Sequence, residues 1–226
     1  MENKNRFEIP KKVSEVIEKL RKATGGMVEP MSISIVQKYG RDPFLVLVSC
    51  LLSSRTKDTV TLPASMRLFA LALIPQKMLT LSLHELEKAI YPVGFYRQKA
   101  VHIKKLCFLL ISHYDGMVPA DFTELTSLPG VGPKTANLVM GVGFGIPAIC
   151  VDVHVHRICN RLGLCITKTP QETEKVLKEI IPKDYWIELN RLLVMWGQNV
   201  CVPVSPYCSR CVLQDVCVRK GVTVSR

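Results

Sequence analysis

Leu128-Pro129-Gly130-Val131-Gly132-Pro133-Lys134-Thr135-Ala136 reads as a tight glycine turn that opens directly into a helix. Gly130 and Gly132 permit positive φ and close backbone approach, and Pro133 suits the first helical position, where its missing N–H costs nothing. Lys134 then stands in the first helical turn. N–H groups at a helix start form a natural seat for a phosphate, and two helices joined this tightly bind a nucleic-acid backbone without reading its sequence. The positive end of the helix dipole disfavours a second positive charge on Lys134, and burial beside an extruded base would disfavour it further. A neutral amine is what attack on a sugar carbon requires. The same lysine can equally bind phosphate as a point charge.

Eighteen residues further on stands Val151-Asp152-Val153-His154. A carboxylate at Asp152 can cap the helix that carries Arg157, and it is also the partner that an amine needs for Schiff-base chemistry. The run Val151 to His156 alternates like a strand, which would set Asp152, His154 and His156 on one face as metal ligands. That alternative predicts a metal hydrolase. A further alternative is a DNA-binding helix-hairpin-helix protein without catalysis.

The tail carries Cys201-x6-Cys208-x2-Cys211-x5-Cys217, four thiols within 17 residues, with Pro203 and Pro206 between the first two. This spacing makes a compact site of four sulphurs, suited to zinc or to an iron–sulfur cluster, and spacing alone does not choose. With no open coordination position its role is structural. Cys50, Cys107, Cys150, Cys159 and Cys165 lie in apolar surroundings and read as core thiols.

The 226 residues carry a formal net charge of +11 and are 48% hydrophobic. This favours a polyanionic partner, nucleic acid above all, and a core that needs no staples. Met1 to Lys22 is charged throughout, which argues against a secretion signal, and the apolar run Phe44 to Leu52 is too short to span a bilayer. An intracellular, soluble protein is expected, in a prokaryotic cytoplasm, a nucleus or an organelle, and a monomer without membrane contact.

Helix signals run along the whole chain, so the expected fold class is all-α. Pro10 marks a start, with Val13, Ile17 and Leu20 on one face and Gly25-Gly26 as the stop. Asp42-Pro43, Ser82 with Glu85, Asp121 with Glu124, and Thr169-Pro170 with Glu172 mark others. A long amphipathic segment follows Gly94 to about His113.

The LPGVGPKTA turn, the VDVHVHR segment and the cysteine tail, in this order, resemble the endonuclease III family of helix-hairpin-helix DNA glycosylases. The resemblance runs from about Pro30 to Cys217 and includes LSSRTKD at 52–58 and Gly94-Phe95-Tyr96. It implies a six-helix barrel domain with the helix-hairpin-helix over 36–146. It also implies a discontinuous helical domain, 1–35 with 147–226, carrying a [4Fe-4S] cluster on Cys201, Cys208, Cys211 and Cys217, with DNA across the cleft. The implied activity is base excision repair of oxidised pyrimidines such as thymine glycol in double-stranded DNA, with cleavage of abasic sites by β-elimination. Lys134 matches the nucleophile and Asp152 the assisting carboxylate. Gly130 and Gly132 match the DNA-backbone contact, Arg55 the residue that fills the gap left by the flipped base (often glutamine), and Phe95 a wedge that is often leucine. Adenine-removing relatives lack the lysine, and mismatch thymine glycosylases carry tyrosine there. Phe95 can equally be a packed core aromatic. The 202–207 loop lacks the basic residues that relatives carry, leaving Arg210, Arg219 and Lys220 as candidates for DNA contact.

Overall fold

The computed structural model describes the backbone of residues 2–226 and the side chains of residues 11–226. In chain order the helices are α1 (Glu2–Ala23), α2 (Met31–Tyr39), α3 (Pro43–Ser53), α4 (Asp58–Leu71), α5 (Pro75–Thr80), α6 (Leu83–Ile90), α7 (Tyr96–Tyr114), α8 (Phe122–Ser127), α9 (Pro133–Leu138), α10 (Val153–Leu162), α11 (Pro170–Ile180) and α12 (Trp186–Asn199). A π-helical stretch, Val139–Phe144, continues α9. No strand occurs among the described residues.

Local chemistry explains several of the starts. Asp42 accepts from the N–H groups of Phe44 at 2.8 Å and Leu45 at 3.1 Å, with Pro43 at the first helical position of α3. Ser82 and Glu85 form a reciprocal capping box on α6, and Asp121 and Thr169 cap α8 and α11. Each cap satisfies donors that a helix start leaves over. The first helix departs from expectation. It does not start at Pro10 but runs from Glu2, since the Glu, Lys and Arg residues ahead of the proline are themselves good helix formers.

The chain divides into a contiguous unit, 30–146, and a split unit formed by residues up to 29 with 147–226. The first boundary falls before α2 rather than at 36, because Met31 and Ile35 enter the core of the contiguous unit. That core is built on α3, whose residues Phe44 to Leu52 are all buried, joined by Leu68, Ile103, Leu106 and Leu110. The split unit packs α1 against α12 and α11, and α10 against α12. Its core includes Ile17, Leu20, Leu162, Leu177, Leu193 and Trp196.

Candidate active site and cysteine site

In the contiguous unit α8 ends at Ser127 and the turn 128–132 leads into α9. Leu128 and Val131 are buried and anchor the turn, closed by a bond from Val131 N–H to Leu128 O at 3.1 Å. Gly130 has φ 78°, and a Cβ there would lie 3.1 Å from Leu51 Cδ2 and 3.2 Å from His102 Nδ1. Both conformation and space therefore require glycine. Gly132 differs from expectation. It is the N-cap of α9 in an extended conformation, φ −100° and ψ 176°, and a Cβ there would meet nothing within 4 Å. Its open surface admits a close neighbour, whereas its φ needs no glycine. Pro133 takes the first helical position, and Lys134 follows it, exposed. Its charge is felt at the buried thiol of Cys50 on α3, which burial pushes up to about 12 while Lys134 pulls the other way.

Arg55 and Phe95 lie side by side. Each has a left-handed backbone, φ 54° and φ 58°. Both side chains are exposed, and the Arg55 guanidinium stands 5.7 Å from the centre of the Phe95 ring. Phe95 is 57% exposed, so the packed-core reading of this ring is set aside.

In the split unit Asp152 caps α10, accepting at Oδ1 from the N–H groups of both His154 and Val155 at 2.9 Å. The cap uses one carboxylate oxygen. It also starts a helix where the sequence alternates like a strand, which overturns the grouping of Asp152, His154 and His156. Residues two apart on a helix do not share a face. His154 Nδ1 is 3.0 Å from Arg157 Nη2, and His156 Nδ1 is 2.6 Å from Thr173 Oγ1.

Cys201, Cys208, Cys211 and Cys217, none in a disulfide, line one cavity together with Val200, Pro206 and Val222. The other five cysteines are buried. Among the described residues no three His, Cys, Asp or Glu side chains converge closely enough to hold a single metal ion. A shared cavity walled by four thiols suits a thiolate-bound metal group. Burial pushes the Cys211 and Cys217 thiols up, a cost that a bound cationic centre removes by holding the thiolates. The buried Trp196 indole N–H has no well-formed hydrogen bond of its own, yet it acts on the Cys211 sulphur and favours its thiolate. These observations fit an iron–sulfur group.

Two arginines of α10 hold the chain around Cys201. Arg157 donates to Cys201 O through Nε at 3.1 Å and Nη2 at 2.8 Å. Arg161 donates to Cys201 Sγ at 3.3 Å, to Val202 O at 2.8 Å and to Pro203 O at 2.7 Å. Sequence reasoning missed this role. The 202–207 loop is not without positive charge, because Arg210 and Arg226 each stack on the Tyr207 ring, 3.9 Å from its centre.

With this geometry in place, likeness to known proteins becomes decisive. Residues 48–183 match the HhH-GPD superfamily of base excision DNA repair proteins. Endonuclease III of Thermotoga maritima is 44% identical over 84% of this chain and 92% of its own length. The chain belongs to the endonuclease III family. Endonuclease III-like protein 1 of mouse is 48% identical over 77% of this chain, which spans 59% of that protein. A solved structure described as a trapped endonuclease III–DNA covalent intermediate superposes with a TM-score of 0.78 at 37% identity, covering 92% of this chain and 95% of that one. As a member of the endonuclease III family, the chain is a bifunctional DNA glycosylase and abasic-site lyase of base excision repair. Among the described residues no helix is long and apolar enough to cross a membrane.

Proposed function

We propose that this endonuclease III-family chain removes oxidised pyrimidines of the thymine glycol type from double-stranded DNA, with Lys134 as nucleophile and Asp152 as its partner. The observation that carries the reading is the exposed Lys134 in the first turn of α9, directly behind the Gly130–Gly132 turn. That turn would receive the DNA backbone through N–H groups at a helix start, and the net charge of +11 favours such a partner.

In this reading the target base leaves the stack, which is easiest for a damaged and poorly stacked one. The Lys134 amine bonds to C1′, and the C1′–N bond breaks as the base departs and takes up a proton. Asp152 accepts a proton from the lysine or stabilises the developing positive sugar. Its Oδ2, not used by the cap, is the oxygen available for this. The imine then forms as the amine loses a proton and the C1′–O4′ bond breaks, O4′ taking up a proton and opening the sugar ring; C2′ next loses a proton, and the bond to the 3′ phosphate oxygen breaks. Water hydrolyses the imine and returns the lysine.

Cys201, Cys208, Cys211 and Cys217 would hold a [4Fe-4S] cluster. Such a group, when bound, supplies a redox-capable iron–sulfur centre that ties the 201–217 segment together. Arg157 and Arg161 orient the first of these thiols.

Borohydride trapping on duplex DNA carrying one thymine glycol tests the reading. Wild type should form a covalent complex and Lys134→Ala none, with DNA affinity held within severalfold. A complex that persists in Lys134→Ala removes Lys134 from the nucleophile's role. No complex with wild type despite tight binding would favour a glycosylase without lyase chemistry.

A further inference from the structure

Lys99 is 7% exposed. It lies on the buried stripe of α7 beside Ala100, Ile103, Leu106, Cys107 and Leu110. A leucine would satisfy that stripe, whereas a buried ammonium is costly unless it is fully bonded. Its Nζ donates to Leu52 O at 2.7 Å, Ser54 O at 2.6 Å and Thr56 Oγ1 at 3.3 Å. Three N–H groups thus meet three acceptors, two of them carbonyls at the C-terminal end of α3. Those carbonyls lack helical partners and carry the negative end of the helix dipole. The charge is held by α3 and the turn behind it, without a carboxylate.

That turn carries Arg55. Its left-handed φ of 54° is strained for a residue with a Cβ and survives only where surrounding bonds over-determine it. A second strained residue, Phe95 at φ 58°, is the N-cap of α7, four positions before Lys99. Thr56 Oγ1 joins the two turns, accepting from Gly94 N–H at 3.1 Å. A Cβ on Gly94 would stand 3.1 Å from Arg55 O and 3.2 Å from Thr56 Oγ1, so any larger residue would push the turns apart by a few tenths of an ångström.

We propose that Lys99 is a positioning residue that locks the 54–56 turn to the 94–96 turn and thereby holds Arg55 and Phe95 as one preset unit for reading the flipped-out site and the base opposite it. This rests on the reading of Arg55 and Phe95 as DNA-contacting residues. Lys99 touches no substrate. It acts through the backbone that presents the other two.

The test uses holoprotein, Lys99→Met, Arg55→Asn and the double variant, with asparagine chosen because it tolerates a left-handed backbone. Excision of thymine glycol is measured opposite each of the four bases, under saturating and subsaturating enzyme, together with hydrogen exchange over residues 53–57. Lys99→Met should lose protection at 53–57 and raise KM about tenfold, with the saturating single-turnover rate changed about threefold or less. Opposite-base preference should flatten. On the Arg55→Asn background Lys99→Met should flatten the opposite-base preference no further, since Arg55 is the group that reads that base, while KM still rises through the loosened Phe95. Additive losses of preference, or unchanged preference in a folded Lys99→Met, overturn the proposal. Should Lys99→Met give no folded holoprotein, Thr56→Val, which cuts the tie between the turns, must reproduce the flattened preference, and its failure to do so overturns the proposal. If wild type excises no oxidised pyrimidine, the functional reading fails separately, and exchange at 53–57 still judges the lock.

Discussion

Arg161 reaches the sulphur of Cys201, Nη1 to Sγ at 3.3 Å, from a side chain that is 8% exposed. The same guanidinium holds Val202 O and Pro203 O, so one cation fixes both the first thiol of the quartet and the chain leaving it. Arg161→Met keeps the length and loses all three bonds. Stability should fall by about 1–3 kcal/mol from the unsatisfied carbonyls, and iron content per chain should drop with it. Metal analysis and thermal unfolding of the purified protein check this; full iron content in Arg161→Met would disconnect the contact from cluster retention.

Asp152 combines a cap with the proposed chemistry, and two substitutions separate these roles. Asparagine caps a helix as well as aspartate, whereas alanine costs about 1 kcal/mol. Asp152→Asn should keep the melting temperature of wild type, and Asp152→Ala should lower it by about 2–4 °C. Both should slow base release in single-turnover assays. A normal rate in Asp152→Asn would leave the residue as a cap only.

The two glycines of the turn should behave oppositely. Gly130→Ala meets a positive φ and crowding from Leu51 and His102, and should cost about 1–3 kcal/mol of stability. Gly132→Ala finds open space and should cost at most about 1 kcal/mol as a cap change. If a DNA phosphate approaches Gly132, its alanine variant loses affinity all the same. Melting curves and DNA titrations on both variants measure the contrast.

Burial lowers the Lys99 ammonium to about 8 from its ordinary 10.5. Between those values the unfolded chain keeps the proton and the folded chain has released it. The unfolded state therefore binds more protons, and this residue makes stability rise with pH across roughly 8 to 10.5. Lys99→Met should lack that contribution. Urea unfolding at several pH values, taken as the difference between wild type and variant, gives the slope, and a negative difference contradicts the assignment.

Local signals were the readable part of this chain. Asp42, Ser82, Asp121 and Thr169 each bond the amides that their positions foretold, because a cap involves residues only two or three apart. Arg55, Phe95 and the four cysteines stood out through motif order, and the structure brings each group together. Lys99 stayed hidden, since its meaning lies in acceptors as far as 47 positions away; a lysine on an apolar helical stripe was the available clue. The strand-like alternation at 151–156 misled, because six residues of period two yield to a single strong N-cap. Gly132 misled for another reason: a glycine that a positive φ demands, as at Gly130, and one whose Cβ would meet only open space read alike in a sequence.

The split unit also has a history in time. Val13, Val16, Ile17 and Leu20 of α1 are fully covered in the finished fold, partly by α12, whose Glu188 pairs with Arg21 across 167 positions. During synthesis α1 emerges ahead of the contiguous unit, and the whole of that unit is made before the partner of α1 exists. The contiguous unit, with its contacts nearer in sequence, is free to condense early, while the apolar face of α1 stays a naked surface until the last third of the chain arrives. A released chain cut just after Ile146 therefore carries one complete module and one uncovered apolar helix, a natural client for a chaperone.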